Sequence, residues 1–464
     1  RLRGAAPATG TAPCPQASAL ARRAPPPMLL PLALSAFHAA AALKVGPGAV
    51  LGNRSPPIMA FHEYTRAHER AYRPGSPEYE QRREIYEQRV AEVQLQNSQP
   101  DRLWTAGINH LTDRTDEELE RLRGYRHNAR PEASVSGPAQ LGLLSTSARS
   151  VNLDNLPSDF AWRHLQANRD IMDQLSCGAC WAVAVSTVIR AHAELHASVD
   201  KTCSVEQIVA CTPNPHHCGG DGGCKGATAE LAMEYVMENG CSSTSQWPYS
   251  GQDQACPPRL SALQKTTDEV WRSPQQATVR SMQNGGGASF GLMGYQKLPE
   301  NQLAPLMMAL YETGPVAVSV AAGAGWTLYS HGIMNACRRN AVINHAVVLL
   351  GFGTNNARRK EQDYWLIQNS WGPAWGESGT IRLQRHSHEH EAQYCGWDTS
   401  PEQGSSCAGG PGKVWVCGSC GILYDTVVPT FRQSNTVMLT QLRDRELMSL
   451  NGTSRADGSR RPVL

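Results

Sequence analysis

The run Gln174-Leu175-Ser176-Cys177-Gly178-Ala179-Cys180-Trp181 opens an amphipathic stretch in which Trp181, Val185, Val188 and Leu195 recur at helical spacing. Two cysteines three positions apart suit a redox pair or half of a metal site. Zinc is disfavoured because no second Cys/His pair has matching spacing. Redox chemistry is disfavoured because the chain holds 14 cysteines, and all but Cys14 fall between Cys177 and Cys420, a clustering that suits structural pairing. The position of Cys180 is more telling. A thiol at the start of a helix meets free N–H groups and the positive end of the helix dipole, both of which favour the thiolate. With a base beside it, such a cysteine is a nucleophile.

Working outward, a candidate base stands in Ile343-Asn344-His345-Ala346-Val347-Val348, a histidine entering a β-like run. A candidate orienting amide stands in Asn369-Ser370-Trp371-Gly372, followed by Trp375-Gly376-Glu377-Ser378-Gly379. Cys177 to Trp181 fit the pattern C-G-[SA]-C-[WY] at every position. With Leu156-Pro157-Ser158-Asp159-Phe160-Ala161-Trp162-Arg163 upstream, these motifs stand in one order, and the chain resembles a papain-like, cathepsin-type cysteine protease. The resemblance implies an α+β, two-domain fold: a helical left domain bearing Cys180 and a β-rich right domain bearing His345 and Asn369. It implies that His345 takes the proton of Cys180, that Asn369 fixes the imidazole and that Trp371 shields their hydrogen bond. Gln174, six positions before Cys180, would share the oxyanion with the Cys180 amide. The substrate pocket would involve Gly226, Ala227, Ile343, Asn344, Ala346 and Trp371. Asp425 would form an acidic floor able to pair with arginine at P2, the second residue before the scissile bond.

The resemblance also implies the disulfides Cys177–Cys224, Cys211–Cys256 and Cys337–Cys420. Cys203, Cys218, Cys241, Cys395, Cys407 and Cys417 are left with open connectivity. Three features depart from the family pattern: Leu175 replaces the usual glycine, Ala227 replaces the last glycine of G-C-x-G-G, and His345 lies unusually far from Cys180. The unpatterned stretch 260–290 accounts for most of the excess over the usual spacing, and 386–417 reads as a second insertion. His386, His388 and His390 alternate with polar residues, as His216-His217 do more briefly; both read as solvated loop.

Upstream, Phe61, Tyr64, His68 and Tyr72 suggest one helix, and Glu78 to Asn97 a second, with Tyr86, Val90, Val93 and Asn97 along a stripe. The turn Pro74-Gly75-Ser76-Pro77 separates them. Glu78, Arg82, Tyr86, Arg89, Val93 and Asn97 resemble the helical signature of the family's inhibitory propeptide, with Arg89 in place of asparagine. Gly107, Asn109, Leu111 and Asp113 resemble its second motif. The resemblance therefore implies a helical inhibitor domain preceding the peptidase, with carboxylates whose protonation loosens docking.

The organisation read from the chain is a leader over 1–27, a signal peptide over 28–44, a propeptide over 58–122 and a linker over 123–151 cleaved on activation. A peptidase domain over 152–431 and a polar tail over 432–464 follow. Leu29 to Ala42 is apolar but short for a bilayer span. Lys+Arg 43 against Asp+Glu 41 gives no charge excess to suggest nucleic acid, a membrane surface or a polyanionic substrate. The expectation is a monomeric cysteine endopeptidase zymogen of the secretory pathway, lysosomal, vacuolar or extracellular. It would act on proteins and peptides without cofactor, metal or stable membrane anchor. The alternatives are a cathepsin-type exopeptidase and a catalytically impaired binding homologue.

Overall fold

The computed structural model describes residues 58–124, 153–258, 279–281, 286–355 and 362–432. The leader, the apolar segment 28–44, the linker beyond Gly124, most of 260–290 and the tail after residue 432 lie outside the described residues.

The N-terminal part comprises α1 (Phe61–Ala67), α2 (Pro77–Ser98), β1 (Trp104–Ala106) and α3 (Asp116–Leu122). Ser76 caps α2 by accepting from the Tyr79 amide, and Pro77 supplies a ready-made first helical residue. Thr115 and Glu118 form a reciprocal capping box at the start of α3. Phe61, Tyr64 and Tyr86 make a small aromatic core. The first helix stops at Ala67, short of the expected His68 and Tyr72. Glu69 takes a left-handed φ of 50°, and the chain turns so that Arg70 pairs with Asp113 at 2.8 Å. On α2 the buried stripe runs through Tyr86, Arg89 and Val93 rather than Val90. Arg89 is 8 % exposed and donates to the Leu111 and Thr112 carbonyls at 3.1 and 3.2 Å, and to Asp116 at 3.1 Å. Its guanidinium thus ties α2 to the turn before α3.

The larger part begins with β2 (Phe160–Ala161) and α4 (Cys180–Ala197), α5 (Val205–Cys211) and α6 (Ala229–Asn239). Strands β3 (Val279–Ser281), β4 (Leu292–Lys297), β5 (Val316–Val320), β6 (Tyr329–Met334), β7 (His345–Asn355), β8 (Gln362–Gln368) and β9 (Thr380–Gln384) follow. A hairpin of β10 (Cys395–Asp398) and β11 (Val414–Cys417) precedes β12 (Thr426–Phe431). The expected strands at 315–320, 346–352, 364–368 and 380–383 correspond to β5, β7, β8 and β9. The large sheet has ten strands in the order β1-β6-β9-β8-β7-β5-β12-β4-β3, with β2 added to β7. Nearly every side chain in the first half of α4 is buried, as a helix apolar all round must be, and Ala182, Val185, Val188 and Ile189 are fully covered. They pack with Ile208, Leu231, Val236 and the β7 residues Val348 and Leu350. A second core, with Leu306, Val318, Trp365 and Ile381, fills the other side of the sheet. Val93, Trp104, Leu111, Leu119 and Leu122 of the N-terminal part belong to it.

Strand β1 extends the sheet antiparallel to β6, with Trp104 opposite Gly332 and Thr105 opposite His331. Asn97 brackets β1 by donating to the Ala106 carbonyl at 2.8 Å and accepting from its amide at 2.9 Å. The Asn109 amide donates across to the Thr327 carbonyl at 2.8 Å. The N-terminal domain is therefore joined to the peptidase by backbone pairing as well as by apolar burial.

Arg89→Ala leaves the buried Thr112 carbonyl without a donor, the Leu111 carbonyl keeping that of the Arg114 amide, and is expected to cost about 2 kcal/mol. Denaturant unfolding of the full chain checks this; an unchanged midpoint would show that the guanidinium contributes nothing.

Candidate active site

The nucleophile's position follows from its local chain. The Gly178 amide donates to the Cys224 carbonyl at 2.9 Å, and Cys177 is disulfide-bonded to Cys224. A Cβ at Gly178 would fall 2.6 Å from the Cys224 carbonyl and 2.8 Å from that of Arg121, so only glycine fits there. Two residues on, Cys180 is the first residue of α4, and it is the one free cysteine among the described residues. Leu175 has a φ of 57°, which explains why glycine suits this position better.

His345 begins β7 and Asn369 follows β8. The antiparallel register that sets Val348 opposite Gln368 brings the two side by side. His345 Nε2 lies 2.7 Å from Asn369 Oδ1, which makes Nε2–H the donor and leaves Nδ1 as the basic nitrogen. Nδ1 is buried with no hydrogen-bond partner among the described residues. The amide of Ala346, the next residue, faces the Cys180 thiol. The Trp371 ring lies 5.0 Å from the imidazole and Trp375 lies 5.2 Å from Trp371; both indoles are buried and seal the pair from water. Gln174 is held from both sides: its amide N–H donates to the Ser370 carbonyl at 2.8 Å, and Ser370 Oγ donates to its side-chain oxygen. That fixes the Gln174 Nε2 donor. Ser370 is a positioning residue that sequence reading passed over although it lies inside the Asn369-Ser370-Trp371-Gly372 motif.

The Gln174 donor is already engaged. Its Nε2 donates to the Leu122 carbonyl at 2.8 Å, at the C-terminal end of α3. Arg123 follows, donating to the Ala322 carbonyl at 3.2 Å, and Gly124 lies against Gly226, Gly178 and the Cys180 sulfur. A backbone carbonyl of the N-terminal domain thus occupies the Gln174 side-chain donor. Under this cover, burial pushes the Cys180 thiol up to about 11 against weaker support from the Ala346, Trp181 and Cys180 amides. Burial lowers His345 to about 4; the Asn369 hydrogen bond opposes the shift and the Arg123 charge adds to it. The docked state therefore holds a neutral thiol beside a neutral imidazole.

The pocket residues separate. Ala227, Asn344 and Ala346 line a small cavity together with Cys180 and His345. Gly226 supplies backbone beside Gly124, at a φ of 91°. Ile343 does not open into this cavity: it packs with Val416 and Tyr424 beneath the β10–β11 hairpin. Asp425 is no free acidic floor. It is 2 % exposed, with Lys297 Nζ at 3.1 Å and Ser319 Oγ donating at 2.7 Å. Glu230 shares the same lysine at 3.2 Å. Burial works against the Asp425 carboxylate, but Lys297 and Ser319 outweigh it and hold its pKa down. This cation within the fold takes the charge an incoming arginine would need, which corrects the expected pairing with arginine at P2. The three expected disulfides are present, and Cys203–Cys241, Cys218–Cys407 and Cys395–Cys417 join them.

A helix-borne thiol, an imidazole held by an amide, a fixed glutamine donor and a domain lying across them have the arrangement of a cysteine protease in its latent form. The family profile for papain family cysteine proteases matches residues 156–404, and that for the cathepsin propeptide inhibitor domain matches residues 61–119. The chain belongs to the papain family of cysteine proteases. It is 27 % identical over 350 residues to procathepsin L of Mus musculus, covering 73 % of this chain and 90 % of that one. It is 29 % identical over 318 residues to the probable cysteine protease RDL3 of Arabidopsis thaliana, covering 68 % and 74 %. Among solved structures, the recombinant stem bromelain precursor superposes with a TM-score of 0.55 at 25 % identity, covering 80 % of this chain and 98 % of that one. Digestive procathepsin L 3 of Tenebrio molitor larval midgut shares the fold with a TM-score of 0.54 at 22 % identity, covering 80 % and 98 %. The chain is thus a papain-family cysteine endopeptidase carrying its inhibitory propeptide.

The direction of the pH response follows from these shifts. Covered, the pair's one labile proton sits on Cys180; in an uncovered thiolate–imidazolium pair the same proton sits on His345, so the pair takes up no net proton on uncovering. His110 of the propeptide does respond: burial near Asp173 of the peptidase lowers its pKa, so the uncovered form binds the extra proton and docking weakens as pH falls below about 6.5, by up to about 1.4 kcal/mol per pH unit. Glu118 does not respond in this window. Burial disfavours its charge, but Arg82, the Thr115 amide and Arg114 outweigh that and hold it at about 2, so its contribution is lost only below its ordinary range, toward pH 2. Binding of the separate propeptide to the processed enzyme is expected to weaken as pH falls from 6.5 to 4.5. A pH-independent affinity would contradict this account.

Proposed function

We propose that Cys180 attacks the substrate carbonyl, with His345 as base, to form a thioester acyl-enzyme that water then hydrolyses. The observation that carries this reading is the hydrogen bond from His345 Nε2 to Asn369, with the free Cys180 thiol beside the next residue's amide. Once uncovered, the helix N-terminus favours the thiolate and the imidazolium balances it. Asn369 orients the ring without taking its proton. The Cys180 amide and Gln174 Nε2 stabilise the oxyanion, a donor of this kind contributing about 3 kcal/mol. Gly226, Ala227, Asn344 and Ala346 contact substrate in this reading, and the peptide binds in extended form.

The propeptide extends over 58–122, the cleaved linker over 123–151 and the peptidase over 152–431, with 1–27 a leader, 28–44 a signal peptide and 432–464 a polar tail. In this reading the chain acts as a monomer in the lysosome, vacuole or extracellular space, without nucleic-acid partners, cofactor or membrane anchor. Six disulfides fit an oxidising compartment. Among the described residues, no helix is long and apolar enough to cross a membrane.

Cys180→Ala is expected to abolish hydrolysis of peptide substrates by the activated enzyme while leaving thermal unfolding near that of the parent. Gln174→Ala should lower kcat about a hundredfold, and Asn369→Ala should be milder than His345→Ala. Retained turnover in the Cys180→Ala protein would overturn the mechanism.

Acidification of the purified full chain is expected to release an active form cut within 123–155, seen by mass spectrometry. A chain beginning near Asn152 that folds equally well but is no more active than the full chain would contradict propeptide inhibition.

A further inference from the structure

The segment from Ser387 to Ser419 leaves the β-rich side and returns to it, and its ends are knotted together. The Glu391 carboxylate, fully buried, accepts from Trp365 Nε1 at 3.0 Å, the His386 amide at 2.7 Å and the Ser419 amide at 3.0 Å. The β10–β11 hairpin is closed by Cys395–Cys417, and Val416 packs on Ile343. Between the two strands of the hairpin the chain runs out over the cleft. Asp398 accepts from the Ile343 amide at 3.0 Å, next to Asn344 and His345. Gly404 lies so close to the Ile343 carbonyl that a Cβ there would fall 2.3 Å from it.

The same run then reaches the opposite wall. The Gly219 amide donates to the Ser406 carbonyl at 2.9 Å, the Ala408 amide donates to the His216 carbonyl at 3.0 Å, and Cys407 is disulfide-bonded to Cys218. Residues 398–408 therefore form a strap from the wall carrying His345 to the wall carrying Ala227, fastened at one end by a covalent bond. Gln403 and Gly404 of the strap line one small cavity with Cys180, His345, Ala227, Ser319 and the docked propeptide's Arg123.

We propose that this strap is the outer wall of the pocket for the P2 side chain and restricts P2 to small residues: glycine, alanine and serine. The inference rests on the assignment of Cys180 and His345 as the hydrolytic pair. Two features that would deepen such a pocket are diverted. Ile343 is drawn under the hairpin, and Asp425 is held by Lys297 behind Ser319. Cys218–Cys407 ties the strap to the wall carrying Ala227, which limits how far that end can move outward to admit a larger side chain. A rigid, short pocket discriminates by overpacking, which penalises added carbons more steeply than an apolar slot rewards them.

The test compares peptides that differ only at P2, assayed with enzyme activated from the full chain. Alanine is expected to exceed leucine, phenylalanine and arginine at least tenfold in kcat/KM. Paired Cys218→Ser and Cys407→Ser substitutions should narrow that ratio by raising the leucine and phenylalanine rates, and Gln403→Gly should do so with every disulfide intact. The comparison in the parent enzyme needs no variant: leucine or phenylalanine cleaved as fast as alanine would overturn the strap's role while leaving the hydrolytic reading in place. Hydrolysis of none of the peptides would overturn the hydrolytic reading and this inference with it.

Discussion

The hydrogen bond from Gln174 Nε2 to the Leu122 carbonyl is the contact on which the latent state turns. In the proposed mechanism a substrate presents a developing oxyanion to this donor; the propeptide presents an unreactive backbone carbonyl instead. With Leu122 in place, Gly124 is held against the Cys180 sulfur and Arg123 beside the imidazole. Both reacting groups are then removed from water. An ion pair formed there would have to be desolvated on both sides, and the neutral forms win. Latency is thus electrostatic as well as steric: the nucleophile is covered, and the cover itself disfavours the charged pair the chemistry needs.

Holding one carbonyl there requires the rest of the N-terminal domain. Strand β1 fixes the domain laterally by pairing with β6, and the amide of Asn109 fixes the following turn to Thr327. Within the domain, the ion pairs Arg70–Asp113, Arg82–Glu118 and Arg89–Asp116 connect the first turn and α2 to the approach to α3. Asp113 is fully buried and also accepts from Tyr64 at 2.9 Å, so the anchor combines charge with an aromatic core. On the enzyme side, Ser370 locks Gln174 from the same short loop that carries Asn369. One turn of chain therefore orients both Gln174 and the Asn369 amide that holds His345.

Much of the site was legible because its signals are local. Cys180 is marked by its place at a helix start, and His345 and Asn369 by the strand ends on which they stand. What escaped the sequence is set by neighbours far along the chain. Asp425 sits at the position expected of a pocket floor, yet Lys297, more than a hundred residues earlier, claims it. Ile343 was expected in the pocket, but the hairpin built from residues 395–417 draws it away. Nothing near Cys218 points to Cys407, because their pairing depends on the path of an insertion across both walls. Arg89 read as a departure from the family pattern; the structure gives it three acceptors and a place in the buried stripe of α2.

The central claim is that propeptide docking withdraws Cys180 from reaction, as a covered and uncharged thiol. Alkylation of Cys180 by iodoacetamide at pH 7, followed by mass spectrometry in the full chain and in the processed enzyme, tests this directly, since only an accessible thiolate reacts. The account predicts that Cys180 in the full chain reacts at least a hundredfold more slowly than in the processed enzyme. Equal rates in the two forms would contradict it.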